Sequence, residues 1–109
     1  MATPSSIRVT ARDNTLTLYL GGEIEFEAMP ELRETLAAIN RRAPAALRID
    51  LTEATFICLS AIGALIVARS AFLHTGADVT TPGATRTLLG FFAEADKSGL
   101  PGRPTLTAT

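Results

Sequence analysis

A hydroxyl nucleophile needs a base to activate it, and the only histidine in the chain is His74. Its candidate partner is Ser60, fourteen residues upstream in a stretch with helical character. At 1.5 Å per residue the two would stand roughly 20 Å apart, against a hydrogen-bond reach of about 3 Å. That pair cannot work. There is no Gly-x-x-x-x-Gly-Lys phosphate loop and no Gly-x-Ser-x-Gly elbow. Cys58 is the single cysteine, which excludes an internal disulfide and a multi-cysteine zinc site. The chain is therefore expected to have no catalytic residues, no metal and no cofactor, and not to be an enzyme. What remains is chemistry of contact.

The elements that would position these residues belong to one domain spanning 1–109, with a core over about 7–100 and a tail over 101–109. Near-cancelling charges, with a net of −1, give none of the basic excess that a nucleic-acid binder uses against phosphates. Arg41-Arg42 is the only adjacent basic pair. The apolar run beginning at Ala61 is far short of the roughly 20 residues needed to cross a bilayer. Residues 1–6 lack a secretory pattern, so the expected location is the reducing cytoplasm, without membrane insertion.

Ile7–Thr10 and Thr15–Leu20 alternate apolar and polar residues around the turn Asp13-Asn14, which predicts a hairpin with Leu16, Leu18 and Leu20 inward. Gly21-Gly22 is expected to end the second strand. From Glu27 to about Asn40 the period becomes helical, with Met29, Leu32, Leu36 and Ile39 on one stripe and Pro30 in the first turn. A strand follows at Ala46–Leu51. A helix from about Ala61 to His74 is apolar almost all round, so burial on most sides is expected, with Arg69 reaching to the surface as a snorkelling side chain. Ala77–Thr81 predicts a strand and Pro82-Gly83 a turn. Thr85 then caps a third helix with Leu88, Leu89, Phe92 and Ala95 on its apolar face, although Gly90 costs about 1 kcal/mol relative to alanine. The tail from Lys97 is expected to be irregular, with Thr105–Thr107 as an edge-strand candidate. The order β-β-α-β-α-β-α(-β) predicts an α/β fold with a mixed, mainly parallel sheet of four to five strands.

This order, with the residues at its joints, resembles the STAS domain of bacterial anti-sigma factor antagonists. The similarity runs from about Leu16 to Leu100. It is carried by Gly22-Glu23-Ile24-Glu25, where Glu25 replaces the family's aspartate, and by Leu47-Arg48-Ile49-Asp50-Leu51. Phe56-Ile57 with Ile62-Gly63-Ala64-Leu65, and Ser98-Gly99-Leu100, complete it. Phosphorylation-regulated members of the family carry Asp-Ser-Ser-Gly or Asp-Ser-Thr-Gly where this chain has Cys58-Leu59-Ser60-Ala61. The flanks set the register, so the family's phosphoacceptor falls on Leu59, which has no hydroxyl to modify.

Each site residue carries two readings. Ser60 is an N-cap of the second helix or a substitute phosphoacceptor at a helix N-terminus, where added negative charge is tolerated. Cys58 is a small half-buried hydrophobe or a redox-sensitive thiol. Leu59 and Ile62 are core, or an apolar contact patch. Glu25 is an acid favouring the first helix's dipole or, as the resemblance implies, part of a partner surface with Cys58–Ala64.

The resemblance implies partner switching. The chain would dock on an anti-sigma factor with a serine-kinase ATPase fold through the Gly22–Ala28 loop and the Cys58–Ala64 turn, releasing a sigma factor. A phosphatase partner is implied where the turn is phosphorylated. The alternative implied by the same resemblance is a nucleotide or small-ligand module, or an accessory of lipid or anion transport. A homodimer through a sheet edge is compatible with either.

Overall fold

A computed structural model describes residues 3–98. β1 (Ser6–Arg12) and β2 (Thr15–Ile24) form the hairpin, followed by a 3₁₀ turn (Phe26–Ala28) and α1 (Met29–Arg42). β3 (Ala46–Asp50), β4 (Ala54–Ile57), α2 (Leu59–His74), β5 (Asp78–Thr80) and α3 (Arg86–Ser98) complete the order. The result is one α/β domain with a five-stranded mixed sheet. β1 lies antiparallel to β2, while β2–β3, β3–β5 and β2–β4 are parallel.

Register explains the core. Leu16 pairs with Leu47 and Leu18 with Ile49, so the inward positions of β2 and β3 line up on one face. All four are buried, as are Leu20 and Leu51. The stripe Met29, Leu32, Leu36 and Ile39 of α1 is buried too, with Pro30 in the first turn where no helical hydrogen bond is lost. On the outer face of the sheet the Arg8 guanidinium stacks 4.0 Å from the Tyr19 ring centre.

Several expectations need correction. β2 does not stop at Gly21-Gly22 but runs on to Ile24. Gly22 takes φ +70°, and a Cβ there would lie 2.1 Å from the Pro4 carbonyl oxygen. Only glycine allows this close approach, and the bulge turns the end of β2 from β3 onto β4. β4 itself was not legible, since four residues without alternation carry no period. α2 is not buried on most sides. Ala61, Leu65 and Phe72 are buried, while Gly63, Val67 and Leu73 are exposed.

Arg69 is no free snorkelling arginine. Its guanidinium pairs with both carboxylate oxygens of Asp96 at 2.8 and 3.2 Å and lies over the Phe92 ring, tying α2 to α3. The third helix is capped as expected, with the Leu88 N–H donating to the Thr85 hydroxyl at 3.2 Å. Its buried face is Leu88, Phe92 and Ala95, and Leu89 points to solvent. α3 continues through Lys97 to Ser98. The edge-strand candidate Thr105–Thr107 lies outside the described residues.

Candidate functional site

The two segments singled out from the sequence are brought together by β4. Ile24 pairs with Ile57 at the ends of β2 and β4, and the Cys58 N–H then donates to the Ile24 carbonyl at 2.9 Å. That bond seats the start of α2 directly beside the 3₁₀ turn that follows β2. Glu25-Phe26-Glu27 on one segment and Leu59-Ser60 on the other therefore share one edge of the molecule.

α2 begins one residue before Ser60. Cys58 is its N-cap in extended conformation, and the Cys58 carbonyl accepts the first helical bond from the Ile62 N–H at 2.9 Å. The N-cap reading of Ser60 is thereby overturned. Ser60 sits inside the first turn, exposed, and no side chain caps the helix. Cys58 is half-buried against the core.

Leu59 is the first helical residue and is 78% exposed. A leucine so placed adds almost nothing to the core, which removes the core reading for it. Ala61 is fully buried, so it packs beneath the turn and offers no contact surface. Ile62 is half-buried, and Gly63 is exposed with open space where a Cβ would stand. Gly63 thus leaves a shallow groove between α1 and α2, floored by Ala64 and Ala68 and flanked by Leu36, Arg33 and Val67.

Phe26 is the contact-type residue that the sequence did not single out. It is 72% exposed at the start of the 3₁₀ turn. The signal was an aromatic residue set between two acids, Glu25 and Glu27, with no apolar periodicity to pull it inward. Beside it a groove is lined by Glu23, Glu25 and Glu27. The Glu25 carboxyl is held above its ordinary value, first by a hydrogen bond with Glu23, then by desolvation and the repulsion of Glu23 and Glu27. Among the described residues none of the three is in an ion pair. Asp50, at the end of β3, is by contrast held below its ordinary value, chiefly by the Thr52 N–H donating at 3.0 Å.

The site thus presents two exposed apolar side chains, Leu59 and Phe26, on segments joined by the Cys58–Ile24 bond, with three carboxylates on the Phe26 segment. Ser60 and His74 lie at opposite ends of α2.

A family model described as "Mlab, STAS domain" matches residues 7–102. The chain belongs to the STAS family. A comparison with curated proteins finds no match. Among solved structures, an anti-sigma factor antagonist from Mycobacterium paratuberculosis aligns with a TM-score of 0.71 at 23% identity, covering 97% of this chain and 92% of that one. The STAS domain of an antisigma-factor antagonist from Rhodobacter sphaeroides aligns with a TM-score of 0.59 at 21% identity, covering 76% of this chain and 94% of that one. At these identities the likeness is one of fold. No helix among the described residues of this STAS domain is long and apolar enough to cross a membrane.

Proposed function

We propose that this STAS domain is a non-enzymatic anti-sigma factor antagonist that acts by partner switching. It docks on an anti-sigma factor with a serine-kinase ATPase fold and so releases a sigma factor. The observation that carries the reading is the exposure of Leu59, at the family's phosphoacceptor position, on a segment joined through the β2–β4 pairing to the one that carries exposed Phe26, Glu25 and Glu27. Large apolar side chains left in water at one edge, and not needed by the core, are what a protein interface uses. The likeness in fold to two anti-sigma factor antagonists supports the same class.

The chemistry of the face specifies the partner's surface. It must bring an apolar patch to cover Phe26 and Leu59, and basic groups to meet Glu23, Glu25 and Glu27. With leucine at the acceptor position, docking is not switched off by phosphate there, and control rests on the protein's abundance or on another input such as Ser60. The test is affinity capture of the tagged protein from its own cell extract with ATP present, followed by calorimetry with the purified partner. A kinase-fold anti-sigma factor that binds one-to-one supports the reading. Capture of lipid- or anion-transport subunits instead, with no anti-sigma factor, would overturn it.

A further inference from the structure

We propose that the cavity between β4, the first turn of α2 and the first turns of α3 is a binding site for one uncharged aromatic ring. It is separate from the docking face. Ile62 turns toward this cavity, whereas Ser60, Gly63 and Ala64 of the same helix border the α1–α2 groove.

The walls are fixed by backbone bonds. The Leu51 N–H donates to the Pro82 carbonyl at 2.8 Å, which pins the turn before α3 against the end of β3. Gly83 in that turn takes φ +82°, and a Cβ would stand 2.4 Å from the Thr52 nitrogen, so the close approach is open to glycine alone. The Thr85 hydroxyl, accepting from the Leu88 N–H, sets the start of α3. A cavity bounded this way is formed before any ligand arrives.

Its size and lining define the occupant. The volume is about 160 Å³, close to the roughly 150 Å³ of an apolar cavity known to take up benzene. Leu51, Ile57, Ile62 and Leu88 are apolar walls, and no Asp, Glu, Lys, Arg or His lines the space. Thr55, Thr85 and Thr87 add hydroxyls at the lining, and a charged group would find no counter-charge there, which disfavours it. Phe56 and Phe91, 50% and 41% exposed, stand in the lining and can meet a ring edge-to-face. Two half-exposed phenylalanines beside an uncharged cavity favour a ring over a flexible alkyl chain. The ring can belong to a free small molecule or to a side chain of a protein, and both share this chemistry.

The experiment is an NMR titration of the full chain, amide and methyl signals observed, with phenol in one series and N-acetylphenylalanine amide in another. The expected result is a saturable shift confined to signals of Ala54, Ile57, Ile62, Ala84 and Leu88. Ala84→Leu, which fills the space, should weaken binding by about tenfold or more. Phe91→Ala removes a half-exposed lining side chain and should weaken it several-fold, which, in a variant shown folded by its amide spectrum, keeps the test valid if Ala84→Leu perturbs folding. Saturation by phenol alone identifies a free small molecule as the source. Saturation by the amide, with or without phenol, identifies a side chain. Linear shifts spread over the surface, or an affinity unchanged in both variants, would overturn the proposal.

Discussion

Leu59→Asp separates folding from docking, and both magnitudes follow from the position of one side chain. Fully burying a leucine is worth about 1.5–3 kcal/mol. With Leu59 78% exposed, the folded chain alone draws about a fifth of that, roughly 0.3–0.6 kcal/mol. Aspartate at the first position of α2 returns about 0.3–1 kcal/mol through the helix dipole, at an end where the first turn holds no acid. Folding stability should therefore stay within about 0.5 kcal/mol of the parent, a shift in Tm below about 4 °C. In the complex the full apolar contact is lost and a carboxylate is desolvated beside Glu25 and Glu27, costing at least about 3 kcal/mol. That is a Kd weakened by roughly 100-fold or more. Thermal melts report the first quantity, and calorimetry against the captured anti-sigma factor the second. Leu59→Asn, without the charge, should fall between the two proteins in affinity. Binding that survives in a folded Leu59→Asp protein refutes the docking face. A Tm lowered by more than about 10 °C refutes the placement of Leu59 outside the core.

Leu59→Ser restores a hydroxyl at the family's acceptor position, exposed at a helix N-terminus that tolerates phosphate. Incubation with the kinase-fold partner and ATP should add a phosphoryl group at residue 59, located by peptide mass mapping, and abolish docking; a variant left unmodified at residue 59 would contradict the register. Gly83→Ala forces a Cβ to within 2.4 Å of the Thr52 nitrogen at φ +82°, and should destabilise the fold by about 2–4 kcal/mol in urea; a loss below about 1 kcal/mol would show that the turn yields freely. Glu25 takes up its proton above its ordinary value of 4.5, so docking to a basic surface should weaken as pH falls toward and through that value. Because the partner favours the charged form, binding there should release protons, seen by calorimetry in buffers of different ionisation enthalpy. Affinity unchanged down to that value would remove the carboxylates from the interface. On folding alone the sign is opposite, since a raised native pKa means that the folded state holds the proton more tightly.

What was legible in the sequence is what period and punctuation encode. The alternation of Leu16, Leu18 and Leu20, the stripe from Met29 to Ile39 and the Thr85 cap all describe local physics, and the structure keeps them. The misses share a different cause. β4 exists because Gly22 bends β2 toward it, a long-range event that no window over Ala54–Ile57 can display. α2 has too many apolar residues for its periodicity to show which face turns inward. Arg69 lies twenty-seven residues from Asp96 and gave no hint of its partner. Within the candidate site, Leu59 was legible only because the flanking segments set a register. Ser60 was misplaced by the start of α2, and Phe26 was passed over because it has no periodic neighbours.

In the proposed docking, leucine at the family's acceptor position would change what kind of force governs the contact. A hydroxyl at the first turn of α2 would contribute one hydrogen bond, and a phosphate in its place would end docking through charge. A leucine contributes area, which no modification of that residue can reverse, and a second uncovered apolar side chain, Phe26, lies on the neighbouring segment. Neither side chain is part of the core that holds the sheet to its helices, so the fold places no demand on them. The carboxylates of Glu23 and Glu27 repel that of Glu25, and among the described residues none of the three is in an ion pair, a cost that the proposed basic partner would relieve. Apolar exposure and carboxylate crowding thus fall at the one edge where the Cys58–Ile24 bond joins the two segments. In the proposed docking both costs would be removed by the same event, the arrival of a partner that is apolar at its centre and basic at its rim.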